Sequence, residues 1–152
     1  MNILIVEDEI SKEKSIKNFI LEILPTANIT TSNSITTAII EIGGSDFNYI
    51  ILDMSLPLYD LNDMNHSEDN EFEALGGTFV LDEIDRLGRK CQVIVVTAFD
   101  VIGEGERQIE LSQIKEELKE EYPLNYIDTI FYNTSGFEWK NQLKKQLIKE
   151  VK

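Results

Sequence analysis

The stretch Ile3-Leu4-Ile5-Val6-Glu7-Asp8-Glu9 joins four consecutive apolar residues directly to an acidic triplet. A continuous apolar run predicts a strand that is buried on both faces, as in a parallel sheet, because a strand with one wet face would alternate apolar and polar residues. The carboxylates that follow then lie at the carboxyl end of the strand. In open parallel sheets this is the edge where ligands bind.

Four more short runs of apolar and β-branched residues follow along the chain, at residues 28–31, 49–52, 92–96 and 127–132, and amphipathic helical patterns separate them. Parallel neighbours require crossover connections, and the crossovers here are helical. The sequence therefore predicts one α/β domain over residues 1–152, a doubly wound parallel sheet of five βα units in three layers, α/β/α.

Two segments exceed an ordinary βα connection. Residues 58–74 form an acidic insertion that contains no Lys or Arg, and we predict a solvated, mobile loop. Its sole histidine, His66, has the chemistry of a phosphorelay donor or metal ligand, but we interpret it as a solvated loop residue. The extended segment at about residues 99–126 predicts a long charged helix over 104–121, and Ser135-Gly136-Phe137-Glu138 predicts a capping box at the start of the last helix.

The composition excludes several classes of function. The net charge is −14, which disfavours direct binding to nucleic acid. No apolar run reaches the roughly 18 to 20 residues of a membrane span, and no signal peptide is evident, so we expect a cytoplasmic protein. One Cys and one His cannot supply a zinc ligand set.

The candidate chemistry lies in acids that follow the first and third predicted strands. Glu7, Asp8 and Asp53 should converge at one edge of the sheet, where their mutual repulsion favours a hard divalent cation such as Mg²⁺. With the cation bound, Asp53 stays ionised and can attack a phosphoryl group, and the Thr97 hydroxyl can donate to a phosphoryl oxygen. Acids that only cap βα turns would show the same spacing.

Four stretches in this order resemble the receiver domain of two-component response regulators, the CheY-like family. The matching stretches are residues 3–9, Ile51-Leu52-Asp53-Met54-Ser55-Leu56-Pro57, Gly77-Thr78-Phe79-Val80-Leu81-Asp82-Glu83-Ile84 and Val95-Val96-Thr97-Ala98.

The resemblance implies a flavodoxin-like fold with strand order 2-1-3-4-5. It implies Asp53 as phosphoacceptor, Glu7 and Asp8 as acidic pocket residues, the Ser55 main-chain carbonyl as a further Mg²⁺ ligand, and Thr97 as the switch hydroxyl. A histidine kinase or phosphotransfer protein would donate the phosphoryl group, and a separate output protein would respond. Such a domain is not an enzyme beyond self-phosphorylation and autodephosphorylation at Asp53.

One departure from the family pattern bears on function. Receivers carry a lysine just after the fifth strand, whereas this chain has Asn133 there and no lysine within several residues. An amide donates hydrogen bonds but supplies no positive charge. The family's aromatic switch position falls on Ile130, or on Tyr132 in a shifted register. Two hypotheses follow: a stand-alone receiver that is phosphorylated on Asp53, or a pseudo-receiver that acts as a phosphorylation-independent interaction module.

Overall fold

The protein folds around a five-stranded parallel sheet. The computed structural model describes residues 1–57, 72–73, 76–98, 101–102 and 109–148. The strands of the sheet are β1 (Asn2–Val6), β2 (Asn28–Ser32), β3 (Tyr49–Leu52), β4 (Gln92–Thr97) and β5 (Tyr126–Phe131). Their order is β2-β1-β3-β4-β5, and every neighbouring pair is parallel. This order confirms the predicted flavodoxin-like fold.

In the described part of the chain, five helices cover the two faces of the sheet: α1 (Ile10–Ile23), α2 (Ile35–Gly44), α3 (Gly77–Arg86), α4 (Leu111–Glu121) and α5 (Glu138–Leu147). The apolar residues of α1 and α5 pack on one face, and those of α2, α3 and α4 pack on the other. The predicted three-layer architecture is thus confirmed. None of these described helices combines the length and apolar character that a membrane span requires.

The helix predicted over residues 104–121 is wrong at its start. The helix begins at Leu111, and Ile109–Glu110 instead pairs antiparallel with Val101–Ile102. Glu110 has extended backbone angles, φ −73° and ψ 153°, so the helical hydrogen-bond ladder cannot run back through it. Residues 103–108 lie outside the described part of the chain.

The predicted capping box before the last helix is also wrong. Phe137 occupies the N-cap position of α5 with a helical backbone and makes no side-chain capping bond. Ser135 is engaged elsewhere, because both its N–H and its hydroxyl donate to Asn133 Oδ1, at 3.1 and 2.9 Å. An Asx turn has therefore captured the hydroxyl that the capping box would need.

Part of the acidic insertion is ordered as a second short ladder. Phe72–Glu73 pairs antiparallel with Leu56–Pro57, which lies just beyond β3. The insertion therefore returns along the chain segment that follows Asp53. The predicted mobile loop over residues 58–74 is therefore wrong at Phe72–Glu73, and the rest of the insertion, including His66, lies outside the described residues.

The start of α3 approaches the backbone after β3 very closely. The Gly77 N–H donates to the Met54 carbonyl oxygen at 2.9 Å. A Cβ atom at Gly77 would lie 2.8 Å from Met54 Sδ and 2.9 Å from the Asp53 carbonyl oxygen, closer than real Cβ contacts allow. The absence of a side chain at Gly77 therefore lets α3 pack against the Asp53–Met54 backbone.

We predict that Gly77→Ala lowers the free energy of unfolding by about 1–3 kcal/mol, because the added methyl overpacks a backbone contact. Gly43→Ala is the matched control, since a Cβ there meets nothing within 4 Å and alanine favours helix by up to about 1 kcal/mol. Urea denaturation measures both variants. Equal stability of Gly77→Ala and wild type would contradict the close approach.

Candidate functional site

The sheet itself fixes the backbone of two acidic residues at its carboxyl edge. Val6 pairs with Leu52 in the ladder between β1 and β3. One residue further on, the Glu7 N–H donates to the Ser32 carbonyl oxygen at 2.9 Å and the Asp53 N–H donates to the Val6 carbonyl oxygen at 3.0 Å. Hydrogen bonds of the ladder type therefore continue past the strands and hold both acids in place.

The three predicted acids meet at this edge. Glu7 and Asp53 are 4% and 6% exposed, and Asp8 is half-buried. Each residue offers one carboxylate oxygen such that all three oxygens lie within 4.8 Å of one another. This spacing suits a shared cation, because one ion can contact all three oxygens.

A lysine from α1 enters the same pocket from the interior. Lys12 is 1% exposed, and its Nζ lies 2.5 Å from Glu7 Oε2 and 3.3 Å from Asp53 Oδ1. The same ammonium donates to the Val96 carbonyl oxygen at 2.7 Å. It also lies 5.8 Å from the centroid of the Tyr132 ring, within cation–π range.

Sequence reasoning missed Lys12, although the sequence contains a signal for it. Lys12 lies four residues before Ile16 and so continues the apolar stripe of α1 through Phe19 and Ile20. A charged residue on a buried helix face needs a partner of opposite charge. Because Glu7 and Asp8 lie just before this helix, they were candidates for that partner.

Burial and mutual repulsion perturb the carboxyl groups. The pKa of Glu7 is raised to about 8, because burial and the charge of Asp53 raise it by more than the Lys12 ammonium lowers it. Burial also raises the pKa of Asp53, against the lowering effect of Lys12 and of a main-chain hydrogen bond from Ser55. The pKa of Asp8 is raised as well, again chiefly by burial. The pocket therefore resists holding three unneutralised carboxylates.

The charges and the donor set fit a divalent cation. Three carboxylates and one ammonium leave a formal charge of minus two. Asp53 Oδ1 is buried, and among the described residues it accepts no aligned hydrogen bond, although Lys12 Nζ lies at ion-pair distance. An acidic groove of about 350 Å³ opens beside Glu7 and Asp8, and Glu13 and Glu41 help to line it. Hard oxygen donors in an anionic groove are the environment that Mg²⁺ prefers.

The other predicted site residues lie on β4 and after β5. Thr97 is fully buried at the end of β4, and its carbonyl oxygen accepts a 2.7 Å hydrogen bond from the Tyr132 N–H. Asn133 is exposed, and its side-chain oxygen is engaged by Ser135. Ser55 is half-buried two residues after Asp53, and its main-chain carbonyl stays a predicted ligand.

The aromatic position next to the pocket is Tyr132. Its ring is buried and packs on Trp139 of α5, with centroids 4.9 Å apart. Ile130 is fully buried in the same apolar cluster, whereas Phe131 is partly exposed at the edge strand. Tyr132 is therefore the aromatic side chain that connects the pocket, through Lys12, to the last helix.

Comparison with known proteins gives relatives in sequence and in structure. No protein-family model matches the chain. It is 32% identical over 149 residues to the Detocs response regulatory protein DtcB of Enterobacter cloacae, covering 97% of this chain and 98% of that protein.

Two solved structures share the fold at lower identity. The response regulator TrrA of Thermotoga maritima, in complex with Mg²⁺-BeF, superposes with a TM-score of 0.58 at 19% identity, covering 97% of this chain and 96% of that one. The receiver domain of the sensor histidine kinase PA1611 of Pseudomonas aeruginosa, with magnesium in its active-site cleft, gives 0.59 at 16% identity, covering 97% and 94%.

We predict that Lys12→Met lowers the free energy of unfolding by about 3–5 kcal/mol in metal-free buffer, because it leaves Glu7 and Asp53 without their counter-ion. The matched control is Lys14→Met on the exposed face of the same helix, where we expect a change within about 0.5 kcal/mol. Urea denaturation in the presence of a chelator measures both. Equal effects of the two substitutions would show that the buried ion pair does not stabilise the fold.

A second prediction concerns pH. The pKa of Glu7 is higher in the folded protein than its unfolded value of 4.5, so the metal-free protein loses the Glu7 contribution to stability as pH rises towards about 8. Protons compete with a cation for this carboxylate. Mg²⁺ should therefore raise the thermal unfolding midpoint more at about pH 9 than at about pH 6.

The control for the pH dependence is Glu7→Gln, which removes the titrating group and should shrink the difference between the two pH values. Differential scanning calorimetry with Mg²⁺ and with a chelator provides the measurement. A stabilisation by Mg²⁺ that is the same at both pH values in wild type would contradict the prediction.

Proposed function

Because this chain belongs to the receiver family of two-component response regulators, we propose that it is a phosphorelay receiver that accepts a phosphoryl group on Asp53 in a Mg²⁺-dependent reaction. The observation that carries the proposal is the convergence of Glu7, Asp8 and Asp53, whose carboxylate oxygens lie within 4.8 Å of one another. The site lies at the carboxyl edge of the sheet, beside an open groove that a donor can approach.

Asp53 is the nucleophile in this reaction. A carboxylate oxygen attacks the phosphorus of a phosphohistidine, a P–O bond forms, the P–N bond breaks, and its electron pair stays on the imidazole nitrogen. Glu7, Asp8, Asp53 and the Ser55 main-chain carbonyl would hold Mg²⁺, which offsets negative charge on the transferring oxygens. The hydrogen bond from the Asp53 N–H to the Val6 carbonyl oxygen keeps the backbone of the nucleophile fixed.

The new negative charge would be sensed at the end of β4. Thr97 is buried there, and its main chain is bonded to Tyr132, just beyond β5. A hydroxyl that turns towards phosphoryl oxygens changes the packing around it, and β5 is an edge strand flanked by α4 and α5. We therefore assign partner binding to the surface formed by α4, β5 and α5.

The partners follow from this role. A histidine kinase or phosphotransfer protein donates the phosphoryl group, and a separate output protein reads the α4, β5 and α5 surface. The match to DtcB extends over 98% of that protein, so a relative of similar length consists almost entirely of the matched region. The net charge of −14 argues against direct contact with nucleic acid.

One observation favours the alternative of a pseudo-receiver. Asn133 occupies the position of the family's lysine, and its side-chain oxygen is held by Ser135 within its own turn. An uncharged amide at this position would stabilise a transferring phosphoryl group poorly, and the Lys12 ammonium is already paired with Glu7. In that case the domain would bind its partner without being phosphorylated.

The two functions are separated by incubation with Mg²⁺ and acetyl phosphate, followed by rapid quenching and intact-mass measurement. We expect one phosphoryl adduct on wild type and none on Asp53→Asn. The control is Asp85→Asn, which removes an exposed aspartate of α3 and should leave the adduct unchanged.

Omission of Mg²⁺ should abolish most of the adduct on wild type. If correctly folded wild type gains no adduct that depends on Asp53, phosphoryl acceptance is refuted and the interaction module is the better account.

A further inference from the structure

We propose that Lys12 of α1 supplies the positive charge that the phosphoacceptor site needs, in place of the lysine that is absent after β5. This inference rests on the proposed function, since it names the residue that assists phosphoryl transfer to Asp53. Lys12 lies on the first helix of the chain, whereas the family's lysine follows the fifth strand. The charge nevertheless ends at the reacting carboxylate, with Nζ 3.3 Å from Asp53 Oδ1.

Local helix energetics do not explain a cation at this position. Lys12 lies in the first turn of α1, where the helix dipole disfavours positive charge. It is also almost completely buried, and burial of a lysine is unfavourable unless its charge is paired. The contacts with Glu7, Asp53 and the Val96 carbonyl oxygen provide that pairing. The pocket therefore accounts for Lys12, and the helix does not.

Lys12 does not line the acidic groove beside the carboxylates. It approaches from the interior, between Val96 and the Tyr132 ring, whereas the acidic groove opens beside Glu7 and Asp8. Among the described residues it forms ion pairs with Glu7 and Asp53 and none with Asp8. One ammonium also neutralises only one of the three carboxylates. The remaining negative charge of the site can therefore bind a divalent cation while Lys12 stays in place.

The transfer step can be written with Lys12 in place. Its ammonium pairs with Asp53 Oδ1, and Oδ2 attacks the phosphorus of the donor. With a phosphohistidine donor, the new P–O bond forms as the P–N bond breaks, and the electron pair of that bond stays on the imidazole nitrogen. With acetyl phosphate, the P–O bond of the donor breaks instead, and the electron pair leaves with the acetate oxygen. Lys12 takes part in no bond change, and its positive charge attracts the phosphoryl oxygens as their charge moves onto the aspartyl group.

The contact with Val96 gives Lys12 a second role. The Val96 carbonyl belongs to the peptide bond that leads into Thr97, so the ammonium touches both the nucleophile and the backbone of the switch residue. When phosphoryl oxygens compete for the ammonium, its hydrogen bond to Val96 weakens. This connects phosphorylation of Asp53 to β4 through one side chain.

The test measures two quantities on each variant: the initial rate of Asp53 phosphorylation by acetyl phosphate at saturating Mg²⁺, and the dissociation constant of Mg²⁺ by calorimetry. We expect Lys12→Met to slow phosphorylation on the order of 10²-fold. The same variant should bind Mg²⁺ more tightly than wild type, because a competing positive charge has been removed. Lys12→Arg keeps the charge and should recover part of the rate, and Lys14→Met should match wild type in both quantities.

A slower phosphorylation rate together with tighter Mg²⁺ binding distinguishes a direct role of Lys12 in the reaction from a structural defect. A collapsed pocket would lose both Mg²⁺ binding and phosphorylation rate. If wild type is phosphorylated and folded Lys12→Met reacts at the same rate, Lys12 has no such role, although the proposed function stands. If Lys12→Met loses Mg²⁺ binding together with rate, Lys12 is structural and the inference is overturned. If wild type itself is not phosphorylated, the proposed function and this inference are both refuted.

If Lys12→Met does not fold, a comparison of two other variants tests the same proposal, because one of them removes Lys12 together with a carboxylate that it neutralises. Glu7→Gln keeps Lys12, and Glu7→Gln/Lys12→Gln removes both members of the closest ion pair. A slower reaction of the double variant than of Glu7→Gln, at saturating Mg²⁺ for each, supports the proposal. Equal rates overturn it.

Discussion

The ion pair between Lys12 and the two buried carboxylates, Glu7 and Asp53, is the interaction on which the pocket depends. Moving a charged carboxylate out of water is unfavourable by several kcal/mol even after the protein relaxes, and two such groups here face each other. The direction of their pKa shifts shows that the environment disfavours their charged forms. Lys12 opposes this effect for both acids. Without it, protonation or a bound cation would have to relieve the repulsion.

The position of Lys12 is set by the layer of α1 and α5. Phe19 of α1 packs edge-on against Trp139 of α5, with ring centroids 5.6 Å apart, and Trp139 packs in turn on Tyr132. The Tyr132 ring then lies beside the Lys12 ammonium. This chain of aromatic contacts fixes where α1 lies over the sheet. The apolar packing between α1 and α5 thus places the Lys12 ammonium at the carboxyl edge of the sheet.

The features that could be predicted from the sequence are those with a local signal. Short runs of apolar and β-branched residues identified the five strands, and acids that follow strand ends identified Glu7, Asp8 and Asp53 as neighbours. Lys12 was missed because its contact with Val96 spans 84 residues and depends on how α1 packs on the sheet. The capping-box prediction was wrong because of a local contact instead of a distant one. The Ser135 hydroxyl bonds to Asn133 Oδ1, and a motif of residue types does not reveal which of two possible hydrogen bonds forms. Helix propensity likewise did not reveal that Ile109–Glu110 would pair as a strand.

If Lys12 takes the place of the family's lysine, as proposed, the cation of the site lies on a helix instead of in a loop, and the site communicates with the surface by a different route. A lysine in the turn after β5 would be joined to α5 through the backbone, whereas Lys12 reaches β5 only by lying against the Tyr132 ring. Its direct hydrogen bond goes instead to β4, at the peptide before Thr97. Under the proposed function, a phosphoryl group on Asp53 would therefore act first on β4 and α1. It reaches α5 through the packing of Tyr132 on Trp139, so the response of the last helix depends on shape and contact between rings. In that case the turn after β5 would not have to deliver a charge, which is consistent with the hydrogen bond from the Ser135 N–H that Asn133 Oδ1 accepts there.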